Sequence, residues 1–145
     1  MVLVALTPIA NPQREHLLDR MMIAASAYVS IPFAKEYSIW IIDAAQKWGI
    51  NPCLLMALYI TESELNHRAV GPVGRDGHRY KGIAQVPEMM PARDSIEKGA
   101  RILREKMRES RTEAEAVSKY KGYCGKINWK VKEVLNLRKR LEERI

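Results

Sequence analysis

Glu62 is the residue whose type and position in this sequence are best suited to chemistry. It follows an almost continuous apolar segment, and it lies four residues after Leu58 and seven after Leu55, so a helix would place all three on one side. We therefore expect its carboxyl group to face protein rather than open water. Burial and the negative end of the helix dipole both favour the protonated carboxyl group, which is the form that a general acid needs.

A glutamic acid in this setting could protonate a glycosidic oxygen. Cleavage of a glycosidic bond requires such an acid, because the leaving sugar oxygen takes up a proton as the oxocarbenium-like transition state forms. A glutamate at the end of a helix is nevertheless more often a solvated or ion-paired surface group. The surrounding residues must therefore decide between these interpretations.

Helices are expected to position this carboxyl group. Asn51 followed by Pro52 predicts the start of a central, buried helix, since asparagine caps helices and proline is tolerated at the first helical position. Asp94 or Ser95 is predicted to cap a later helix. Apolar residues recur at helical spacing in six segments, 13–29, 34–48, 52–63, from 94 onward, 112–120 and 128–145. The patterns predict an all-α fold.

Residues 66–91 have the composition of a long loop. They contain four glycines and three prolines, which favour turns over helix. A loop of this length is often functional. Asp76 followed by Gly77 is a common turn pair and could close a short hairpin.

Composition restricts the class of protein and of partner. A chain of 145 residues with 47% hydrophobic content can form one globular domain with a core. The net charge of +7 favours an anionic partner, such as nucleic acid, an anionic membrane surface or bacterial cell wall. No apolar run approaches the roughly 20 residues that a membrane-spanning helix needs, so no membrane span is expected.

Cysteine and histidine positions predict no metal site and no disulfide framework. Cys53 and Cys124 have no metal-binding spacing and are expected to be isolated buried thiols. His67 and His78 lack paired carboxylate or histidine spacing, so we expect hydrogen-bonding surface histidines.

The sequence resembles the lytic transglycosylases, a family that shares its superfamily with the goose-type lysozymes. The resemblance covers about residues 45–125 and keeps the family's order of motifs. Four segments carry it. Glu62-Ser63, with Asn66, Ala69 and Val70, is similar to the Glu-Ser end of the family's catalytic helix, and Gly82 to Pro87 is similar to its Gly-Leu-Met-Gln segment. Ser95-Ile96, with Gly99 and Leu103, is similar to its Asn-Ile helix, and Ala116 to Tyr120 is similar to its Ala-Tyr-Asn segment.

This resemblance implies a lysozyme-like fold and a peptidoglycan-cleaving activity. Glu62 would protonate the β-1,4 glycosidic oxygen between N-acetylmuramic acid and N-acetylglucosamine and then act as base, with no metal and no cofactor. Lytic transglycosylases release 1,6-anhydro-muramyl products, whereas goose-type lysozymes use water. We divide the chain into an N-terminal helical extension, residues 1–34, and a catalytic domain, residues 35–145.

The resemblance also implies roles for other residues of the cleft. Ser63 and Gln85 would lie beside the glycan strand, and Tyr120 would lie across the cleft, where its phenol could bind the acid or the substrate. Two positions depart from the family pattern: Lys121 replaces the usual asparagine, and Gly71 replaces a common serine. These departures concern substrate positioning rather than the acid.

Asp76 lies in a loop that is longer than the transglycosylase pattern and more like that of goose-type lysozymes. The resemblance makes Asp76 a candidate for orienting an attacking water in a hydrolytic reaction. A turn formed by Asp76 and Gly77 needs no catalytic explanation, and we favour the turn.

Two functions of other classes compete with the enzyme. A helix-turn-helix domain would suit the turn at Gly49 and the basic last helix, but it leaves Glu62 and residues 82–87 unexplained, so nucleic acid is not the expected partner. A non-catalytic wall-binding module would keep the fold without turnover.

The place of action is expected to be the bacterial cell wall, in the periplasm or outside. The apolar start of the chain lacks the basic lead-in of a signal peptide. This favours a phage lysin or a virion-associated enzyme, or a protein whose leader has been removed.

Overall fold

The computed structural model describes residues 11–143 and confirms the predicted all-α class. The apolar start of the chain, the first ten residues of the predicted extension and the last two residues of the predicted final helix lie outside that range. No helix within it is long and apolar enough to cross a membrane. In chain order the elements are α1 (Asn11–Ala25), α2 (Ile31–Trp48), α3 (Pro52–Ser63), β1 (Val70–Val73), β2 (Arg79–Lys81), α4 (Ala92–Arg108), α5 (Glu113–Tyr120) and α6 (Trp129–Glu143).

Helix α3 is the buried centre of the molecule, as its apolar composition predicted. The Asn51 side chain accepts hydrogen bonds from the backbone amides of Cys53, at 2.9 Å, and Leu54, at 3.2 Å, and Pro52 lies in the first turn. Every residue from Cys53 to Ile60 is buried, and α1, α2 and α6 pack against the helix. Its two ends are only partly buried: Pro52 at the start, and residues 61–63 with Glu62 at the C-terminal end.

Helix α2 begins earlier than the sequence predicted. Pro32 does not interrupt the helix but lies in its first turn, where its missing N–H needs no partner, so α2 starts at Ile31 rather than at residue 34. The predicted boundary between residues 34 and 35 therefore falls within α2, and the division into an extension and a catalytic domain stays a prediction.

Helix α4 also begins earlier than predicted, but its first turn differs from that of α2. It starts at Ala92, directly after Pro91, and no side chain caps it. The expectation that Asp94 or Ser95 caps this helix is wrong. Asp94 lies in the first turn, and the buried Ser95 accepts a hydrogen bond from the amide of Ala84 at 3.2 Å. The Ser95 hydroxyl thus binds another segment of the chain and does not cap its own helix.

A short antiparallel hairpin interrupts the long loop, as the Asp76-Gly77 pair predicted. Val70 pairs with Lys81 and Val73 with Arg79, with a register shift between the two pairs. Gly77 adopts φ +80°, which favours glycine in the turn. The hairpin forms one wall of a cleft at the end of α3.

The two cysteines differ in environment. Cys53 is buried in α3, as expected, but Cys124 is exposed. The expectation of a buried thiol at position 124 is wrong because this residue lies in the irregular segment between α5 and α6, outside the core.

Candidate active site

Glu62 lies in the last turn of α3 and faces a cleft. Its side chain is 15% exposed, and its Oε1 atom accepts a hydrogen bond from Lys121 Nζ at 2.9 Å. The helix ends immediately afterwards, because Glu64 adopts the left-handed conformation with φ 53° and its amide donates back to Ile60. The carboxylate is therefore held at the rim of the core, partly shielded from solvent.

A cavity of about 450 Å³ adjoins this carboxylate and brings four of the five predicted site residues together. Glu62, Asp76, Gln85 and Tyr120 all line it, and Ser63 does not. The hairpin supplies one wall and the end of α5 supplies the other. The complete lining is Glu62, Gly71, Pro72, Gly74, Arg75, Asp76, Tyr80, Gln85, Tyr120, Lys121, Gly122 and Tyr123.

Ser63 connects α3 to the segment that carries Gln85. Its hydroxyl lies 2.7 Å from the carbonyl oxygen of Ile83 and 3.2 Å from that of Tyr59, and its single proton can be donated to either. The contact with Ile83 joins residues 82–87 to the end of α3. The sequence predicted a place beside the substrate for Ser63, and the hydroxyl instead contacts backbone.

Gln85 lines the cleft and has a strained backbone conformation. Its φ is 53°, unusual for a residue with a side chain, and its Nε2 atom donates to the carbonyl oxygen of Gly82 at 3.0 Å. The Oε1 atom lies close to Gly71, where an added Cβ would be only 2.5 Å from it. This proximity gives a physical reason for Gly71, since the family's serine would not fit beside Gln85 as it lies.

Tyr120 uses its hydroxyl to hold the same segment from the other side. The phenol donates a hydrogen bond to the carbonyl oxygen of Ala84 and makes none to Glu62. Burial, with a smaller contribution from the negative charge of Glu62, raises the pKa of Tyr120 well above its ordinary value. The tyrosine is thus a neutral hydrogen-bond donor near the acid.

Asp76 forms the turn that the sequence favoured, and its carboxylate also lines the cavity. Tyr80 donates its hydroxyl to Oδ2 at 2.5 Å, and the His78 amide donates to Oδ1 at 3.0 Å. These hydrogen bonds, the Tyr80 bond first, lower the pKa of the exposed Asp76 carboxyl. Asp76 is therefore a carboxylate with both oxygens engaged within the hairpin.

Lys121 is the site residue whose role sequence reasoning missed. Its side chain is 9% exposed, and its ammonium group contacts both Glu62 and the Thr61 hydroxyl, the latter at 3.3 Å. The sequence predicted a carboxyl group that faces protein, but it gave no indication that Lys121 is its partner, 59 positions further along the chain. The one feature of the sequence that could have drawn attention to this residue is that Lys121 stands where the family usually has asparagine.

The described part of the chain offers no candidate metal centre. Within residues 11–143, no group of three or more histidine, cysteine, aspartate or glutamate side chains is arranged to hold a metal ion. The lining of the cleft supplies the shielded carboxyl group of Glu62, the exposed carboxylate of Asp76, the charged groups of Lys121 and Arg75, and several hydrogen-bonding groups.

Comparison with known proteins assigns the family. The sequence profile described as transglycosylase SLT domain matches residues 39–141, from within α2 to within α6. No curated protein and no solved structure matches the chain significantly. The profile match covers more than half of the 145 residues, and the helical fold around α3 agrees with the lysozyme-like arrangement that the resemblance implied. The chain therefore belongs to the transglycosylase SLT domain family, which comprises peptidoglycan-cleaving lytic transglycosylases.

Proposed function

We propose that this protein is a lytic transglycosylase that cleaves the β-1,4 bond between N-acetylmuramic acid and N-acetylglucosamine in peptidoglycan and leaves 1,6-anhydro-muramyl ends. Glu62 is the catalytic residue. The observation that carries the proposal is the position of the Glu62 side chain, which is only 15% exposed, at the edge of a cavity of about 450 Å³. The glycan strand would lie in the cleft between the hairpin and the end of α5.

Glu62 acts twice in this reaction. In the first step its protonated carboxyl group gives a proton to the oxygen of the leaving N-acetylglucosamine as the glycosidic bond breaks. In the second step the carboxylate takes the proton of the muramyl 6-hydroxyl while that oxygen bonds to the anomeric carbon. At the end of the second step Glu62 is protonated again, so this one carboxyl group can carry out both proton transfers.

The remaining groups of the cleft support binding rather than proton transfer. Gln85 offers an amide to sugar hydroxyl or acetamido groups, and its backbone is held by bonds that Ser63 and Tyr120 make to the neighbouring residues Ile83 and Ala84. A carbohydrate needs such fixed polar groups, because each unmatched hydroxyl group costs affinity. Ser63 and Tyr120 are therefore proposed to position Gln85.

Hydrolysis by water is the second candidate outcome, because Asp76 lines the same cavity as Glu62. A carboxylate across the cleft could orient an attacking water, as inverting glycosidases require. Both oxygens of Asp76 are already engaged by Tyr80 and His78, however, which favours its role in the turn. We therefore rank the anhydro-forming reaction first.

The identity of the released muropeptides tests the proposal. Purified peptidoglycan is digested with the wild-type protein and with Asp76→Asn, and the products are identified by mass spectrometry. We expect anhydro ends from both proteins. Reducing ends that disappear in Asp76→Asn would instead establish a hydrolase, and release of nothing by the wild type would favour a wall-binding module.

A further inference from the structure

We propose that a second cavity, beside the end of α3, binds a neutral N-acetylated amino sugar of the glycan strand. The cavity measures about 610 Å³, and within residues 11–143 it shares no lining residue with the cavity beside Glu62. The two cavities are neighbours on α3, because Glu62 lines the first and the next residue, Ser63, lines the second. The inference rests on the proposed function and extends glycan binding beyond the catalytic cleft.

One wall of this second cavity comes from a part of the chain that the family profile does not match. Tyr28 lies in the connection between α1 and α2, and Phe33 and Tyr37 lie in the first half of α2, whereas the match begins at residue 39. The other wall, residues 63–67, begins at the last residue of α3. The cavity therefore does not belong to the matched domain alone.

The aromatic rings of the first wall are exposed and held in place. Tyr28 and Phe33 are 42% and 49% exposed. Phe33 packs against the buried Tyr37, with ring centroids 5.7 Å apart, and Tyr37 packs against Trp40 at 5.9 Å. The face of an aromatic ring carries partial negative charge, so it attracts the polarised C–H groups on the face of a sugar ring. Because packing already orders these rings, binding a sugar costs little further ordering.

A tight turn forms the opposite, polar wall. Glu64 and Leu65 both adopt the left-handed conformation, with φ 53° and 60°, which is uncommon for residues with a Cβ. The buried Leu65 side chain anchors the turn in the core, and the Asn66 amide donates to the carbonyl oxygen of Ser63 at 3.0 Å. Strained conformations are frequent at binding sites. Here the turn brings Glu64, Asn66 and His67 to one cavity.

The polar side chains of this turn suit the edge of a sugar ring. The Glu64 carboxylate accepts hydrogen bonds, the Asn66 Nδ2 atom donates them, and the His67 imidazole can do both. Within residues 11–143 the structure gives none of these three groups a partner, while Asn66 Oδ1 is held by the amide of Arg68 at 2.9 Å. Sugar hydroxyl and acetamido groups both donate and accept, so they can satisfy all three groups.

The charge of the second cavity favours a neutral ligand. In the described part of the chain its lining contains one carboxylate and neither lysine nor arginine, although the whole chain carries +7. An anionic ligand would face Glu64 with no cation to offset the repulsion. An ammonium ligand would suit Glu64 and the aromatic rings, but it offers no acceptor to the Asn66 donor. A neutral sugar suits both walls.

Phe33 reports directly on this cavity because it is the one phenylalanine of the chain. The full chain is labelled with ring-¹³C phenylalanine and titrated with tri-N-acetylchitotriose, a trimer of N-acetylglucosamine. We expect the Phe33 ring signals to shift and saturate. Tyr28→Ala and His67→Ala should each weaken the binding measured by this shift about fivefold. Ile31→Ala is the matched control, since this 69% exposed residue lies between the two aromatic residues and does not line the cavity; it should bind like the wild type.

Glu64→Gln separates a neutral ligand from a cationic one. Glutamine keeps an acceptor, so the trimer should bind nearly as well as to the wild type. Binding of Nα-acetyl-lysine methylamide at Phe33, without a response to the trimer, would overturn the inference. Equal binding by the wild type, Tyr28→Ala and His67→Ala would overturn it too. Because no turnover is needed, a protein that binds the trimer at Phe33 but releases no muropeptides contradicts only the proposed function. A lytic protein whose Phe33 signals stay unchanged contradicts only this inference.

Discussion

The residues of the cleft fall into two groups: some bind the backbone of its walls, and others line the cavity. The hydroxyl groups of Ser63 and Tyr120 bind backbone carbonyl oxygens of Ile83 and Ala84, so they shape the segment beside the acid. Glu62 and Gln85 line the cavity. Substitutions in the first group should therefore lower stability, and substitutions in the second group should change substrate binding or turnover.

Tyr120→Phe should mainly cost stability. The substitution removes the donor to the Ala84 carbonyl oxygen, and a lost hydrogen bond of this kind costs about 1 kcal/mol of unfolding free energy. Urea denaturation measures it, with the exposed Tyr28→Phe as a control that should change little. A loss of turnover as large as that in Glu62→Gln, with stability unchanged, would contradict the assignment of Tyr120 as a positioning residue.

Gly71→Ala should weaken substrate binding and leave stability nearly unchanged. The new Cβ would lie 2.5 Å from Gln85 Oε1, and the flexible side chain can turn away at little cost. Loss of about 1 kcal/mol of binding from one hydrogen bond corresponds to a roughly fivefold higher KM for peptidoglycan. Val73→Ala, at an exposed position of the same hairpin that does not line the cavity, should keep the wild-type KM. An unchanged KM in Gly71→Ala would argue against Gln85 as a substrate ligand.

At the scale of elements, residues 82–87 are held by hydrogen bonds from three helices, α3, α4 and α5. Ser63 of α3 binds Ile83, and Ser95 of α4 and Tyr120 of α5 bind the amide and carbonyl groups of Ala84. Helix α4 approaches closely because Gly99 has no side chain: a Cβ there would lie 2.5 Å from the Ala84 Cβ and 2.6 Å from Tyr59 Oη. The position of Gln85 thus depends on helix packing.

Gly99→Ala tests this packing. Alanine usually stabilises a helix interior relative to glycine, but here the added methyl group meets side chains that cannot retreat, so we expect a loss of about 1–3 kcal/mol of unfolding free energy. Lys98→Ala, one residue earlier on the same helix, should change stability far less. Urea denaturation compares the two variants, and a more stable Gly99→Ala protein would disprove the close approach.

Local signals predicted elements well and long-range contacts poorly. Both ends of α3 were predictable, because Asn51-Pro52 and the apolar segment act within a few residues. The start of α4 was misplaced because Ser95 resembles a cap in sequence but binds Ala84 across the fold. The pairing of Lys121 with Glu62 joins residues 59 positions apart, and periodicity carries no information about such contacts.

At the scale of the whole molecule, Glu62 is positioned by a helix that lies at the centre of the core. Helices α1, α2 and α6 pack on α3, and Cys53 is buried in its first turn. Burial, aided by the Glu142 carboxylate, raises the pKa of the Cys53 thiol to about 11. The rate at which the Cys53 thiol reacts with a reagent therefore measures how often the core opens.

Thiol labelling at neutral pH should show two classes of cysteine. Exposed Cys124 should react with a disulfide reagent at once, whereas Cys53 should react only as the molecule unfolds, because it is both buried and un-ionised. The variant Cys124→Ser should lose the fast phase and keep the slow one. Fast labelling of both thiols in the native protein would contradict a rigid, closed core around α3.

Turnover by Glu62→Gln tests the central claim most directly. The glutamine can still accept a hydrogen bond from Lys121, so the fold and peptidoglycan binding should persist, as measured by thermal unfolding and by co-sedimentation with purified peptidoglycan. We expect the rate of muropeptide release to fall by about 10² to 10⁴, the usual contribution of a general acid or base. Release at the wild-type rate by a folded Glu62→Gln protein would contradict the assignment of Glu62 as the catalytic acid.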